Sequence, residues 1–342
     1  MKKTLIASAI FLASSPVFAE LTVEPYGSIR AQAESVTVDQ AKAGEDDSYT
    51  GIKDAYSRFG VIATYPLSNG TTLGAKLEIP FNIQQMQAED PSYFEGFYKE
   101  NNAPRVYKLT ATGDWGSVAI GKQWLAYYNA VAYPVDYFSS FYSGFATYAA
   151  FRREAVTYTT PSFSGFSATA SMVDMKDGDG ETYLDTAQAS LKYSLDGLSL
   201  AVAYEDTYNT KSDLLGASAA YTTGPWRFAT KVEQLETDDE TMTVGVDPIM
   251  YNMYASYQLN DYTFKAHYAD GDITNDSTAY YEGDSYHLGA DYQYTKNLKV
   301  FVEYFYEERA YAIYTEDSKS YGQAAAKNTS GSALAIGARY DF

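Results

Sequence analysis

Apolar and polar residues alternate along most of this 342-residue chain with a period of two. In the closing stretch ALAIGARYDF, Leu334, Ile336 and Tyr340 fall on one side of an extended chain, whereas Gly337 and Arg339 fall on the other. A period of two is that of a β-strand, in which successive side chains point to opposite faces. Similar alternation recurs at residues 73–79, 198–205, 226–233, 251–257, 264–268, 286–292 and 298–306. The pattern therefore predicts an all-β protein.

The segments between the alternating stretches are of two kinds. Short turns such as LSNG, GDWG and LDG alternate with long acidic or polar segments such as QAKAGEDDS and MKDGDGETYLD. They separate about 16 strands, an even number, whose apolar sides frequently end in tyrosine. This combination predicts a transmembrane antiparallel β-barrel with short periplasmic turns and long external loops. A soluble β-sandwich or barrel is the alternative, although a sandwich has no use for so many tyrosines at strand ends.

The chain ends must meet if the barrel lies in a membrane. An open sheet edge would leave N–H and C=O groups unpaired in hydrocarbon. We therefore expect the last strand to pair with the first, around residues 26–32, and Phe342 to face outward among the aromatic residues of the membrane interface. Chain ends are usually frayed and polar, so alternation up to the final residue supports this closure.

Residues 1–19 are typical of an export signal. Lys2 and Lys3 precede the apolar run TLIASAIFLA, and the small residues of VFA end at Ala19. The run is too short to span a bilayer, and an acidic segment follows it. We predict cleavage after Ala19, which leaves residues 20–342 as the barrel; a buried N-terminal helix is the alternative.

Composition narrows the class of protein. The chain has no cysteine, which excludes disulfides and cysteine-based metal sites. Its formal net charge of −19 disfavours nucleic acid as a partner. The 35 tyrosines and 17 phenylalanines exceed what a soluble acidic protein ordinarily needs. After residue 19, no apolar run approaches the roughly 20 residues of a transmembrane helix, so the aromatic residues favour a lipid-facing barrel.

Several blocks of the sequence resemble the Gram-negative general porins, a family of 16-stranded trimeric barrels of the outer membrane. The blocks are YGSIR, AYSRFG, PRVYKLTATGDWGSVAIGK, REAVTYTTPSFSGF and the terminal GARYDF, in the family's order. The resemblance implies a passive, water-filled diffusion channel for ions and small hydrophilic solutes, without enzymatic activity or cofactor. It also implies a homotrimer in contact with outer-membrane lipid and lipopolysaccharide, in which residues 84–102 reach over a neighbouring subunit. Phe342 resembles the terminal aromatic residue that barrel-assembly machinery reads in this family.

Residues 123–152 differ from the other long segments. They contain eleven aromatic residues and a single acidic residue, Asp136. A segment this long and this apolar requires burial. The resemblance places it where the third long loop of a porin folds into the lumen, so we expect it to form the channel constriction. The alternative is an exposed hydrophobic loop that grips a partner or lipopolysaccharide.

Four arginines are the candidates for the wall opposite that loop. Alternation places Arg30, Arg58 and Arg153 on inward faces, and Arg105 is also expected inward. The resemblance implies that Arg58, Arg105 and Arg153 line the constriction. Because arginine stays charged at any working pH, we expect a basic wall that faces Asp136 and a transverse field that favours small polar solutes. The alternative for each arginine is a plain lumen residue kept polar by water.

A second function remains open, a substrate-selective oligosaccharide channel of the chitoporin or maltoporin kind. Four aromatic residues of the constriction segment are candidate stacking surfaces for sugar rings: Trp124, Tyr127, Tyr128 and Tyr133. A third class, an adhesin or a purely structural barrel, requires a plugged lumen.

The sequence offers little support for catalysis. His267 and His287 face inward on strands joined by one loop, so a metal-binding or pH-sensing pair and plain polar lining are both open. No nucleophile elbow, metalloprotease motif or phosphate loop occurs. The stretch DGDGE at 177–181 lacks the spacing of an EF-hand. We therefore predict no catalytic, metal or cofactor site.

Overall fold

The computed structural model describes residues 20–40, 45–84, 86, 88, 104–142, 147–176, 182–207, 212–237, 249–272, 282–308 and 329–342. The predicted signal at residues 1–19 and most of the predicted subunit-spanning segment at residues 84–102 lie outside these described residues.

The described residues form one antiparallel sheet of seventeen strand segments. The first nine are β1 (Thr22–Gln40), β2 (Glu45–Asp54), β3 (Arg58–Pro66), β4 (Thr72–Pro80), β5 (Val106–Gly113), β6 (Gly116–Trp124), β7 (Arg152–Thr159), β8 (Phe166–Lys176) and β9 (Thr182–Leu195). The others are β10 (Leu198–Thr207), β11 (Ser212–Thr223), β12 (Trp226–Thr237), β13 (Ile249–Leu259), β14 (Tyr262–Asp272), β15 (Glu282–Gln293), β16 (Leu298–Glu307) and β17 (Thr329–Asp341).

Two of these segments, β2 and β3, are halves of one wall strand, so the barrel has sixteen strands as predicted. The upper half of β1 pairs with β2 and its lower half pairs with β3. Tyr56 interrupts the strand with a φ of 69°. The break is held by hydrogen bonds, because the Ser57 N–H donates to Asp54 Oδ1 at 2.8 Å and the Ala55 N–H donates to the Arg30 carbonyl at 3.2 Å.

The barrel closes between its first and last strands. β17 pairs with β1 from Ser28 opposite Asp341 to Gln40 opposite Thr329. Beyond them, Gly27 and Phe342 exchange two backbone hydrogen bonds of 2.9 and 3.1 Å. The Phe342 ring lies on the outer side beside Phe59 and Tyr340. Closure is therefore confirmed, and the chain is regular up to its final residue because that residue still pairs.

The barrel is apolar outside and polar inside, the reverse of a soluble protein. Leu109, Ile120 and Leu288 are 67%, 57% and 54% exposed on the outer face. The inward residues Glu233 and His287 are fully buried. Because side chains alternate across each strand, the same period of two that puts leucine towards lipid puts charge into the lumen, the interior of the barrel.

Aromatic rings cluster at both ends of the outer face. Near the short turns, Trp226 packs on Tyr257 with ring centroids 4.5 Å apart, and Tyr262 packs on Tyr292 at 4.8 Å. Near the other end, Tyr286 lies 5.3 Å from Tyr268. These two bands match the aromatic girdles expected at the two membrane interfaces. No helix among the described residues is long and apolar enough to cross a membrane.

Candidate channel constriction

The chain leaves the wall after β6 and enters the lumen, as predicted for this segment. We call residues 125–142 and 147–151 the inward segment. It begins with a π-helical turn, Tyr128–Ala132, which is followed by a 3-10 turn, Tyr133–Val135. The Leu125 N–H donates to the Phe151 carbonyl at 3.0 Å, which joins the two limbs where they meet the wall.

Hydrogen bonds from successive strands hold the outgoing limb against the inner wall. The Ala126 N–H donates to Ser171 Oγ of β8 at 3.2 Å, and the Tyr127 N–H donates to Gln188 Oε1 of β9 at 2.8 Å. Further along, the Ser218 hydroxyl of β11 donates to the Ala130 carbonyl at 2.7 Å. The segment therefore follows the inner surface of the barrel instead of projecting freely.

Wall glutamates accept the backbone N–H groups of the inward segment. Glu303 of β16 accepts the N–H groups of Ser139 and Ser140, each at 2.8 Å. On the return limb, Glu233 of β12 accepts the Tyr148 N–H at 3.0 Å. Such charge-assisted bonds satisfy backbone donors that have no partner within the segment. These glutamates were not predicted as site residues, although alternation alone places them inward.

The tip of the inward segment docks on β1 and on the break between β2 and β3. The Phe141 N–H donates to Gln32 Oε1 at 2.8 Å, and the Tyr142 hydroxyl donates to Glu34 Oε2 at 3.0 Å. Tyr56 stacks on Phe141 with centroids 5.2 Å apart, and Lys53 Nζ lies 3.7 Å above the Phe141 ring. The interruption at Tyr56 thus supplies a ring that fixes the tip.

Opposite this segment, three of the four predicted arginines lie near one another. Arg105 Nε lies 3.1 Å from Glu78 Oε1, and Arg58 Nε lies 3.7 Å from Glu78 Oε2. The Tyr26 hydroxyl also donates to Glu78, at 2.9 Å. We call Tyr26, Arg58, Arg105 and Glu78 the Glu78 cluster. Arg30 is directed to Ser28, whose hydroxyl accepts its Nε–H at 2.8 Å.

The fourth arginine lies farther along the wall, and the Glu78 cluster contains a carboxylate that was not among the predicted site residues. Arg153 lies two strands beyond β5, on β7, where its register partner is Gln123. The basic wall also contains Glu78, an acidic residue absent from the sequence prediction. Its position on β4, between Lys76 and Pro80 on the same face, was available from alternation. Alternation gives the face on which Glu78 lies, but only the folded wall shows that this carboxylate contacts the arginines.

Asp136 is the acidic residue of the inward segment, and it faces Arg30 and Arg58. The Tyr128 hydroxyl donates to Asp136 Oδ2 at 2.7 Å. The crowded surroundings desolvate this carboxyl and raise its pKa to about 6, and the Tyr128 hydrogen bond and the two arginines only partly offset that effect.

The aromatic residues of the inward segment, and Trp124 at the end of β6, mostly contact each other and the wall. Tyr127 is fully buried, and its ring packs where Gly216 leaves room that a Cβ would fill. Trp124 stacks on Tyr128 at 4.5 Å, and the guanidinium of Arg152 lies 5.1 Å above the Trp124 ring. Tyr133 is 50% exposed. Of the four predicted stacking surfaces, Tyr127 is therefore corrected to a wall contact, and Tyr128 is buried as well.

The two histidines are directly opposite each other across β14 and β15, but the inward segment covers them. Phe138 stacks on His287 with centroids 3.6 Å apart. His287 Nε2 lies 3.3 Å from Glu303 Oε2, and His267 Nε2 lies 3.2 Å from Asn252 Oδ1. Among the described residues, no group of three or more histidine and acidic side chains is arranged to hold a metal ion.

Comparison with solved structures finds the same architecture in several known proteins. The anion-selective porin from Comamonas acidovorans superimposes with a TM-score of 0.70 at 17% identity, over 94% of this chain and 100% of that chain. The trimer form of OmpT from Vibrio cholerae gives 0.66 at 17% identity, over 94% and 99%. Salmonella typhi OmpF, in its complex with daunomycin, gives 0.65 at 16% identity, over 94% and 97%.

Sequence comparison supplies the family. The curated proteins contain no significant match to this chain. The family model described as Gram-negative porin matches residues 4–312, which is most of the chain. Together with the closed sixteen-stranded barrel and its inward segment, this match shows that the chain belongs to the Gram-negative porin family.

Proposed function

We propose that this porin is a passive diffusion channel of the outer membrane for ions and small hydrophilic solutes. The observation that carries the proposal is the inward segment, which follows the inner wall from β8 to β16 and faces Arg30, Arg58 and Arg105 across the lumen. A channel narrowed in this way limits solutes by size and by charge without binding any of them tightly.

The charged groups at the constriction act on solutes through their field. Arg30, Arg58 and Arg105 lie on one side, and Asp136 lies on the other. Opposed charges across a narrow wet gap orient water and small dipolar solutes, and an apolar solute must displace that ordered water to enter. Glu78 neutralises part of the basic side, so the field is weaker than three arginines alone would give. Arg153 extends the basic wall along β7.

The assembly and location of the mature protein form part of the proposal. The predicted signal at residues 1–19 is removed on export, and Phe342 serves as the terminal residue that assembly machinery reads. Three subunits associate side by side in contact with lipid and lipopolysaccharide. The outward apolar faces of the strands and the two aromatic bands support a membrane environment for every subunit.

Planar-bilayer recording of the purified protein tests the proposal. We expect ohmic conductance that closes in three equal steps, and we expect proteoliposomes to swell with small sugars at a rate that falls smoothly as solute size increases. A channel with one closing step contradicts the trimer, and the absence of any ion conductance contradicts the diffusion channel itself.

The oligosaccharide alternative is less well supported. Its stacking surfaces need an exposed ring face, but Tyr127 and Tyr128 are buried and the Trp124 ring already contacts Tyr128 and Arg152. We therefore expect no resolvable current blockades by malto- or chito-oligosaccharides. Millisecond blockades that disappear in Trp124→Ala would favour the selective channel instead.

A further inference from the structure

Two lysines meet on the lumen side of the wall next to the Glu78 cluster. Lys76 of β4 and Lys108 of β5 are register partners, so their side chains project from directly opposite positions on one face. The adjacent residues Leu77 and Leu109 are exposed on the outer face, which places both lysines inward. Directly opposed like charges destabilise a sheet. The pair therefore carries a cost that its surroundings must offset.

The described residues provide little negative charge to offset this cost. Lys76 Nζ lies 3.9 Å from Glu78 Oε2, which is a long separation for an ion pair. Glu78 is already engaged by Arg105 at 3.1 Å and by the Tyr26 hydroxyl at 2.9 Å. Three basic side chains, Lys76, Arg58 and Arg105, thus share one carboxylate whose oxygens are occupied.

Three other inward cations of this barrel are arranged differently. Lys231 Nζ lies 2.7 Å from Glu233 Oε1, and Lys299 Nζ lies 2.9 Å from Asp291 Oδ2. Arg339 also faces another cation directly, Arg30, but its Nε lies 2.7 Å from Asp341 Oδ2. Lys231, Lys299 and Arg339 thus each have a carboxylate within 3 Å, whereas the only ion pair of Lys76 and Lys108 among the described residues is the 3.9 Å contact of Lys76 with Glu78.

We propose that Lys76 and Lys108 form a binding site for small divalent oxyanions of the phosphate or sulfate class, adjacent to the arginines of the constriction. The proposal rests on the proposed diffusion function and names a solute class for it. Opposed positions on neighbouring strands hold Cβ atoms about 5 Å apart, and two flexible ammonium groups can converge on one tetrahedral anion from there. A divalent anion neutralises both lysines at once, whereas chloride neutralises one.

The net charge of the whole chain explains why such a site helps oxyanions to pass. The net charge is −19, so a dianion is repelled as it approaches the protein. A basic pair with little carboxylate charge nearby lowers the barrier for dianions that have entered the channel and lengthens their stay. The site thus lets an acidic porin admit oxyanions.

Chloride current in the presence of inorganic phosphate tests the site in the reconstituted porin. At pH 8 and constant ionic strength, we expect millimolar phosphate to reduce the single-channel chloride conductance. Lys108→Gln should raise the half-blocking phosphate concentration about tenfold, because one charge-assisted hydrogen bond is lost. Lys76→Gln should do the same, and Lys108→Arg, which keeps the charge, should retain most of the block.

Lys192→Gln is the matched control. Lys192 is an exposed lysine of β9, on another part of the wall, and its loss removes the same charge from the chain. We expect parental block in this variant. Equal block in Lys108→Gln and the parent, or an equal loss of block in Lys192→Gln, would overturn the site. Chloride conductance without phosphate tests the open channel separately, so a failed site and a failed channel give different results.

Discussion

Glu78 changes what the arginines of the constriction do. This single carboxylate contacts Arg58 and Arg105, so the basic side of the channel is partly neutralised from within. Alternation predicts that an arginine faces the lumen, but it does not predict which carboxylate that arginine meets. The charge that a solute experiences is therefore the sum over the whole Glu78 cluster and not a count of arginines.

Arg58→Ser is expected to raise single-channel conductance and to shift ion preference towards cations. The change removes a bulky side chain and also frees part of the Glu78 charge. Reversal potentials in a potassium chloride gradient measure the shift. Arg153→Ser is the control with the same change of residue on β7, and we expect a smaller shift there. An equal shift in both variants would show that the Glu78 cluster has no special role.

Asp136 is expected to make ion preference depend on pH near neutrality. Its pKa is raised to about 6, so the carboxylate is ionised at pH 8 and mostly neutral at pH 5. As pH falls through about 6, the constriction loses a negative charge and anion preference rises. The reversal potential between pH 8 and 5 checks this, and Asp136→Asn should show the low-pH preference throughout. A pH step of parental size in Asp136→Asn would refute the assignment.

The raised pKa of Asp136 also determines how this residue's contribution to folding stability changes with pH. Because the folded protein binds this proton more tightly than the unfolded chain, the contribution of Asp136 to folding is greatest below the ordinary carboxyl pKa. That contribution is lost as pH rises through about 6. Asp136→Asn is therefore expected to be at least as stable as the parent at pH 8.

At the scale of elements, the inward segment depends on the strands that it crosses. Glu303 of β16 accepts two of its backbone N–H groups and also pairs with Lys265 at 2.7 Å. Strands far apart in the sequence thus hold the same inward segment. Removing an anchoring side chain from one of these strands is therefore expected to loosen the inward segment.

Glu303→Gln is expected to loosen the inward segment. A glutamine carbonyl replaces two charged acceptor oxygens, and each lost charged hydrogen bond is worth about 1.5–3 kcal/mol. We expect larger current fluctuations in the open state and a faster exchange of the amide hydrogens of Ser139 and Ser140. Glu24→Gln, at an exposed position of β1, is the matched control. Parental current noise in Glu303→Gln would contradict the anchoring role.

Closure of the barrel depends on a glycine. The Phe342 ring lies over Gly27, and a Cβ at that position would overlap the ring. Gly27→Ala is therefore expected to displace Phe342 and to lower the yield of folded barrel on refolding into detergent. Gel mobility with and without heating measures the folded fraction. Gly51→Ala, whose Cβ would make an ordinary contact with Tyr49, should refold like the parent; equal yields of the two variants would count against the closure argument.

For the whole molecule, the distribution of charge sets ion preference. The sequence is strongly acidic, with EDD at 45–47, DGDGE at 177–181 and TDDE at 237–240 between alternating stretches, whereas the constriction is basic. Charges exposed to bulk water are screened within about 10 Å at 0.1 M salt. Charges within the lumen are screened less, because little salt enters a narrow space.

Ion preference is therefore expected to change with salt concentration. At low salt, the acidic segments should concentrate cations and give a weak cation preference. As salt rises, their effect fades and the basic constriction should move the preference towards anions. Reversal potentials at a fixed concentration ratio, from about 0.01 M to about 1 M salt, span the relevant screening lengths. A preference that is constant over this range would show that one region alone controls selectivity.

The sequence by itself determined the wall of this barrel. The period of two, the alternation of short turns with long segments and the regular C-terminus predicted the sixteen strands, their faces and their closure. These features follow from local geometry, because each strand's alternation decides which side chains face lipid and which face the lumen. The apolar composition of residues 123–152 and the family resemblance likewise predicted an inward segment.

Only the tertiary structure decided what that segment touches. Ser139 and Glu303 are 164 residues apart in sequence, and Phe141 and Gln32 are 109 apart. The placement of Glu78 among the arginines, the burial of Tyr127 and the covering of His287 by Phe138 arise in the same way. Alternation assigns a side chain to a face, but a contact also requires the height of each strand and the path of the segment, which depend on pairing around the whole barrel.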